Sequence, residues 1–173
     1  MVLGVQIFRS RRAAAAGSQD ADRLGVVHPD PLAPLSRDRV VAWLRSEKVH
    51  FFVDDEGDVG GLWDSSLLYF FVHGEHDEVL LVRSMWHREV SIERFEEVLE
   101  LCNAWNAEKV WPKAYLRVRD NGKVLVHADI TYDLEPGVSD TQLGWLLHSA
   151  IGTHLAFLSE LERHYPDPVG EAP

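Results

Sequence analysis

The sequence predicts an α+β protein in which helices pack on one face of an antiparallel β-sheet. Three observations predict this class. Helical periodicity appears near the start, in the middle and near the end of residues 36–165. The extended segments between these helices are joined by short polar turns, and the chain lacks the regular strand–helix alternation of a parallel sheet. The element order is α-β-β-β-β-α-β-β-α.

The first helix is expected to begin after Ser36, a residue type that caps helix N-termini, and to end near Lys48. Its inward stripe consists of Val40, Val41 and Leu44. Residues 50–53 and 59–63 should then form two short strands, because both are mostly apolar and an acidic turn separates them.

Two nearly uninterrupted apolar runs follow, residues 67–72 and 79–82, joined by a polar tip at residues 74–78. They predict a β-hairpin. A strand with one face in water alternates apolar and polar residues, but these strands do not, so both of their faces need cover. Helices can cover one face. We expect a second copy of the chain or another protein to cover the other.

Ser91 is expected to cap the middle helix, whose apolar face contains Phe95, Leu99 and Cys102. Residues 114–118 and 124–132 then alternate apolar and polar side chains. Asn121-Gly122 lies between them and predicts a β-hairpin with a type I′ turn.

The last helix is expected to begin after Ser139, which can form a capping box with Gln142. It should run for about 25 residues, or about 37 Å. Gly144 and Gly152 lie two turns apart on nearly the same side of this helix. They suit either close packing within the domain or contact with a second copy.

The 173 residues, 46% of them hydrophobic, are enough for one domain with a packed core. Residues 1–34 lack periodicity and end in a proline-rich stretch. We therefore expect a disordered tail over residues 1–34, a folded domain over residues 35–166 and a second disordered tail over residues 167–173. The arginines before the alanine run at residues 13–16 are not followed by an apolar segment, so no signal peptide is expected.

The charge of the chain limits its partners. The net charge is −11, and residues 36–173 alone carry −12. Such an acidic domain is a poor ligand for phosphate backbones or anionic membranes, so we expect neither a nucleic acid nor a membrane as partner. The single cysteine, Cys102, cannot form an internal disulfide, which is typical of a cytoplasmic protein.

The motifs indicate no enzyme, cofactor or metal site. The acidic stretch at residues 54–58 resembles a calcium loop, but Val59 stands at the position that requires glycine and Ser65 at the position that requires glutamate. His73 and His76 form only a pair, whereas zinc needs three or four ligands. Nucleophile, phosphate-binding and dinucleotide motifs are not found in the sequence. An unrecognised hydrolase remains a minor alternative.

Several local patterns resemble the YbjN-like family of bacterial sensory transduction regulators. They are residues 52–58 before the apolar hairpin, residues 102–106 at the end of the middle helix, and the Asn-Gly hairpin that ends at residues 128–130. The resemblance covers about residues 36–165. It implies a fold similar to type III secretion chaperones, which are dimeric and bind partner proteins without chemistry. The family has no agreed catalytic residues, so none is carried over.

We therefore expect a non-enzymatic, cytoplasmic regulatory or chaperone-like domain that forms a homodimer and binds an unidentified protein. The expected contact residues are aromatic side chains, which are enriched at binding hot spots: Trp63, Tyr69, Phe71, Trp86 and Trp105.

Two further alternatives stay open. The protein could be a small-molecule sensor that holds a ligand between the sheet and the last helix, close to His127, Asp129 or His154. Asn103 and Asn106 could either fix the end of the middle helix and the following loop, or line a groove that binds a peptide backbone.

Overall fold

The computed structural model describes residues 30–63 and 65–166. They form three helices, α1 (Arg37–Ser46), α2 (Phe95–Glu108) and α3 (Asp140–His164), and seven strands of one sheet. The strands are β1 (Phe52–Val53), β2 (Val59–Trp63), β3 (Ser66–His73), β4 (Val79–Met85), β5 (Val90–Ser91), β6 (Lys113–Val118) and β7 (Lys123–Asp133). The predicted α+β class with an antiparallel sheet is confirmed.

The sheet is ordered β1-β2-β3-β4-β7, and every pair is antiparallel. β6 pairs with the other side of β7 and forms that edge. In the centre, Phe70 of β3 lies opposite Val82 of β4, which lies opposite Ile130 of β7. The two predicted hairpins therefore meet through β4 and β7 in the middle of the sheet.

The start of the middle helix differs from the prediction. Val90 and Ser91 form the short strand β5, which pairs with β7 and was not predicted. The hydroxyl of Ser91 donates to the carboxylate of Glu93 and makes no hydrogen bond to the helix backbone. A 3-10 turn, Ile92–Arg94, then leads into α2. Two paired residues are too few to produce a strand pattern in the sequence.

The Asn-Gly hairpin is present, but its turn is not type I′. That turn needs a positive φ at both central residues, and among the two only Gly122 has one, at 73°. The N–H of Gly122 donates to the carbonyl of Arg119 at 3.0 Å, and the N–H of Arg119 donates to Lys123 at 2.8 Å. This is a three-residue loop, in which a type I turn is followed by a left-handed glycine.

Part of the expected N-terminal tail lies against the domain. Both carboxylate oxygens of Asp30 accept hydrogen bonds of 3.1 Å from the N–H groups of Asp140 and Thr141 at the start of α3. Ala33 pairs with Val138 as an isolated bridge. The predicted boundary at residue 35 therefore falls inside the contacts of the folded unit. The remainder of the expected tails, residues 1–29 and 167–173, lies outside the described residues.

The three helices pack on one face of the sheet and form the core. α3 lies over the sheet centre, where its His154 contacts the backbone of Ala128 on β7. The core side chains from strands and helices have at most 2% of their surface exposed and include Leu68, Phe70, Val82, Val126, Ile130, Leu147, Ile151 and Phe157. In the described part of the chain, no helix is long and apolar enough to span a membrane.

The predicted capping box of α3 is confirmed, with Ser139 and Gln142 each bonding the other's backbone. The two glycines of this helix have different surroundings. A Cβ on Gly144 would lie 2.8 Å from Nε1 of Trp43, so this glycine permits the close contact of α3 with α1. Gly152 is exposed, and a Cβ there would meet no described atom within 4 Å.

Candidate functional site

The sheet face opposite the helices, here called the open face, carries a group of apolar side chains outside the core cluster of the described residues. Because side chains alternate along a strand, the neighbours of the core residues point to this face. Its apolar side chains are Leu62, Leu67, Tyr69, Phe71, Val79, Leu81, Met85 and Leu125. None of these eight belongs to the core cluster formed by the described residues.

The contrast between the two faces is clearest on β4. Leu80 and Val82 point toward the helices and are fully buried. Leu81 points to the open face and is only partly buried, although it lies in the middle of a seven-stranded sheet. At the β2 side, Leu62 exposes 66% of its surface. Among the described residues, the open face therefore has no covering layer.

Aromatic rings form a row along one side of this face. Tyr69 and Phe71 of β3 stack with their centroids 5.2 Å apart. Phe71 stacks in turn on His73 at 5.4 Å, and Phe52 of β1 meets the Tyr69 ring edge-on at 5.8 Å. Such contacts fix the rings in place, so they present a rigid apolar surface.

A polar group lies in the centre of the open face. Arg83 of β4 donates two hydrogen bonds, 2.8 and 2.7 Å long, to the carboxylate of Asp129 on β7. The hydroxyl of Tyr115 contacts the same carboxylate at 3.3 Å. The guanidinium also lies over the rings of Phe71 and Tyr115, at 5.8 and 5.9 Å. The hydrogen bond to Asp129 raises the pKa of Arg83, so the guanidinium stays charged.

His127 lies next to this pair and is the unusual residue of the face. Its ring stacks on Tyr115 at 5.5 Å, and only 6% of its surface is exposed. Neither ring nitrogen has a hydrogen-bond partner among the described residues. Burial, with added repulsion from Arg83 and Arg117, lowers the pKa of His127 to about 4, so its ring is neutral near pH 7.

The five predicted contact residues are found in three different places. Tyr69 and Phe71 lie on the open face. Trp63 and Trp105 are half-buried on the helix side of the sheet. Trp86 is 1% exposed in the core, where its indole N–H donates to Glu162. The structure therefore does not bring the five residues together, and Trp86 is not available at the surface.

Trp105 lines a groove of about 450 Å³ between α2 and α3. Its own indole N–H donates to the carbonyl of Pro112 at 3.0 Å, and its ring packs on Phe157. The rest of the lining combines apolar, acidic and basic residues: Leu101, Ala104, Tyr165, Glu97, Glu100, Glu108, Glu160, Arg163 and His164. Trp63 lines a smaller cleft of about 160 Å³ beside α3.

The two asparagines at the end of α2 have different roles. The Asn106 amide donates to the carbonyl of Ala114 and accepts from its N–H, both at 2.8 Å. It therefore satisfies the outward-facing backbone groups of β6 at this position and holds α2 against the strand. Asn103 is exposed. These contacts favour the first interpretation of Asn106, in which it fixes the segment that follows α2.

The polar residues expected around a ligand lie on two sides of the sheet. His154 is fully buried on the helix side, where its ring nitrogens contact the carbonyls of Ala150 at 2.8 Å and Ala128 at 3.1 Å. His127 and Asp129 lie on the open face. Cys102 is also buried in the core, and burial raises the pKa of its thiol to about 11. In the described segments, no group of three or more His, Cys, Asp or Glu side chains could hold a metal ion.

Comparison with known protein families identifies the family of this chain. The profile described as "YbjN: Putative bacterial sensory transduction regulator" matches residues 36–163, which is most of the chain. The chain belongs to the YbjN family. None of the curated proteins matches it.

The solved structures that are similar to this YbjN-family protein include the following two. "Crystal structure of YbjN, a putative transcription regulator from E. coli" has 18% identity and a TM-score of 0.66, and the match covers 78% of this chain and 96% of that one. "Structure of the HopA1-SchA Chaperone-Effector Complex" also has 18% identity, with a TM-score of 0.47, and covers 73% of this chain and 97% of that one. At this identity the first likeness supports the shared fold.

Proposed function

We propose that this YbjN-family protein is a non-enzymatic, regulatory or chaperone-like domain that binds another protein and acts as a homodimer. The observation that carries the proposal is the open face. Eight apolar side chains lie there outside the core cluster of the described residues; Leu62 is exposed, six are partly buried and Leu125 is buried. Apolar patches outside the core usually mark interaction sites. The membership in a family of regulators supports a binding role.

The two sides of the sheet suit two different partners. Tyr69 and Phe71 belong to the flat open face, which fits a second flat surface. Trp63 and Trp105 line concave features on the helix side. A dimer formed through the open face would leave both tryptophans accessible to a protein partner. We assign the first pair to self-association and the second pair to partner binding.

Protein binding is favoured over small-molecule sensing by the placement of polar groups. A ligand pocket needs a few polar side chains that converge on one cavity, typically of about 300–1,000 Å³. His154 points into the helix side, whereas His127 and Asp129 lie on the opposite face. The cleft between the sheet and α3 at Trp63 measures only about 160 Å³. The larger groove of about 450 Å³ between α2 and α3 is lined by none of these three polar residues.

Self-association is tested by sedimentation velocity of the full chain over a wide range of micromolar concentrations. We expect a monomer–dimer equilibrium. A single species with the mass of one chain, 19.6 kDa, at all concentrations would overturn the homodimer.

Partner binding is tested at the α2–α3 groove with two exposed alanines of the same helix. Ala104 lines the groove and Ala107 does not. A protein captured from the native organism would be purified and its binding measured by calorimetry. Ala104→Arg should block binding because it fills the groove, whereas Ala107→Arg should bind like the wild type. Equal binding by both variants would show that the groove is not the partner site.

A further inference from the structure

We propose that the second copy packs on the open face about a two-fold axis that lies in the interface and runs across the strands. The acidic end of one sheet then meets the basic end of the other. This inference rests on the proposed homodimer and specifies where and in which orientation it forms.

The open face is large enough for a dimer of modest affinity. Five strands spaced about 4.8 Å apart, and about seven residues of each at 3.3 Å, give roughly 550 Å² of flat area per copy. Two copies would bury roughly 1,100 Å², which is close to the lower limit of about 1,200 Å² for specific interfaces. A second copy is therefore a partner of suitable size. The aromatic row of the open face is already in place in each copy.

One end of the face is acidic. The β1–β2 turn, the β3–β4 turn and the end of β7 lie at the same end of the sheet, since Val59 aligns with Phe70 and Val79 with Asp133. The acidic side chains in these three segments are Asp54, Asp55, Glu56, Asp58, Glu75, Asp77, Glu78, Asp133 and Glu135. Arg37 approaches this group, with its guanidinium 3.7 Å from the carboxylate of Asp58.

The opposite end carries basic side chains. Arg117, Arg119 and Lys123 surround the β6–β7 turn. Arg119 pairs with Glu89 at 3.0 Å, and Asp120 is also close, so the excess of positive charge is small. Lys123 and Asp133 begin and end the same strand, about 33 Å apart at 3.3 Å per residue. The two ends of the sheet thus differ in charge along the strand direction; among the acidic side chains Asp133 lies on the open face, whereas Asp58 contacts Arg37 of α1.

This polarity selects one symmetry. An isologous dimer places the same patch of both copies in contact. A two-fold axis parallel to the strands would set the acidic end of one copy over the acidic end of the other, and like charges in an interface are unfavourable. An axis across the strands reverses the strand direction of the partner, so opposite charges meet at both ends. Halfway between Asp133 and Lys123, this axis crosses β7 near Ala128.

The orientation is tested by charge reversal with complementation. One variant carries Asp55→Lys, Glu56→Lys, Glu75→Lys, Glu78→Lys and Glu135→Lys, enough to make the acidic end net positive. The other carries Arg117→Glu and Arg119→Glu at the basic end. Each variant alone should dimerise at least about tenfold more weakly, because like charges then meet twice in each dimer. In an equimolar mixture every contact is attractive again, so a heterodimer with the wild-type affinity should form.

Thiol labelling shows which surface becomes covered. Leu81→Cys on the open face and Ala156→Cys on the exposed side of α3 are compared in the full chain, where buried Cys102 gives the background. Labelling at Leu81→Cys should slow as the protein concentration rises, whereas labelling at Ala156→Cys should stay constant.

The outcomes distinguish this inference from the proposed function. A wild-type dimer whose affinity neither variant changes, or whose assembly protects Ala156→Cys, would keep the homodimer but place it on another surface. A wild-type monomer would overturn both proposals. In that case, a Leu81→Cys thiol that stays protected at every dilution would assign the open face to residues 1–29 of the same chain.

Discussion

At the scale of single residues, the open face contains a side chain whose environment the sequence does not reveal. His127 stands at one of the polar positions of the alternating β7 pattern, and the sequence suggests for it only a place beside a bound ligand. In the structure it is buried by Tyr115 beside it and by the side chains around Arg83. Burial of a side chain on an outer sheet face depends on cross-strand neighbours, which a pattern along one strand does not contain.

Replacement of this histidine should stabilise the fold or leave it unchanged. His127→Phe keeps the stacking on Tyr115 and removes two buried ring nitrogens that have no partner in the described residues. We expect the free energy of unfolding to rise by about 0–1 kcal/mol at pH 7 in urea denaturation.

The same variant should change the pH dependence of stability. The pKa of His127 is lowered from 6.5 to about 4, so between these values the unfolded chain binds a proton that the folded chain does not. Wild-type stability should therefore fall as the pH drops from 6.5 to about 4, and His127→Phe should reduce the slope. Burial is the main cause of this low pKa; of the charges that face the ring, Arg83, Arg117 and Arg119 lower it further and Asp129 raises it. The exposed His50, changed to Phe, is the control; an equal slope in wild type and His127→Phe would contradict the assignment.

At the scale of elements, the cap of α3 was predicted correctly, whereas the cap at Ser91 and the features set by strand pairing were not. The capping box of α3 depends on two residues three positions apart, and it is present as predicted. The turn type after Asn121 was wrong because the loop has three residues, a length that the pairing of β6 with β7 sets. Strand β5 exists only because β7 extends beyond β4 and offers it a partner.

Asn106 should stabilise β6, the strand at the edge of the sheet. Asn106→Ala leaves two backbone groups of Ala114, a residue that is 6% exposed, without their partners. We expect a loss of about 2 kcal/mol in the free energy of unfolding, measured by urea denaturation. Asn103→Ala, an exposed site on the same helix, should cost less than about 0.5 kcal/mol. Similar losses for the two variants would show that the amide of Asn106 does not support β6.

Asp30 should stabilise the N-terminus of α3 through its charge. Hydrogen bonds from Thr141 and Ser139, together with backbone N–H groups, lower the pKa of Asp30 from 3.8 to about 2. Because the folded pKa is the lower one, the contribution is complete above pH 3.8 and is lost as the pH falls to about 2. Asp30→Asn should therefore lower Tm at pH 7, and its difference from wild type should shrink as the pH approaches 2. A difference that is equal at both pH values would exclude a role of the charge; Glu135→Gln is the exposed control.

At the scale of the whole molecule, the sequence predicted a sheet with two apolar faces, and the structure agrees. β3 and β4 are apolar at consecutive positions, and the helices lie on only one side of them. What the sequence could not predict is the division of the aromatic residues. Trp86 directly follows β4, where its N–H bonds to Val126 and its side chain turns into the core. This orientation of the Trp86 side chain depends on where β7 lies in the tertiary structure.

Two adjacent leucines should separate folding from assembly. Leu80 is fully buried under the helices, so Leu80→Ala should cost about 3 kcal/mol of unfolding free energy at concentrations where the protein is monomeric. Leu81 points to the open face, so Leu81→Ala should cost less than about 1 kcal/mol there, because its side chain is only partly buried in one copy. Its effect should appear instead in the dimer dissociation constant, measured by sedimentation velocity. Comparable losses of monomer stability for the two variants would mean that both faces of the sheet are covered within one chain, and the apolar face would then be part of the core.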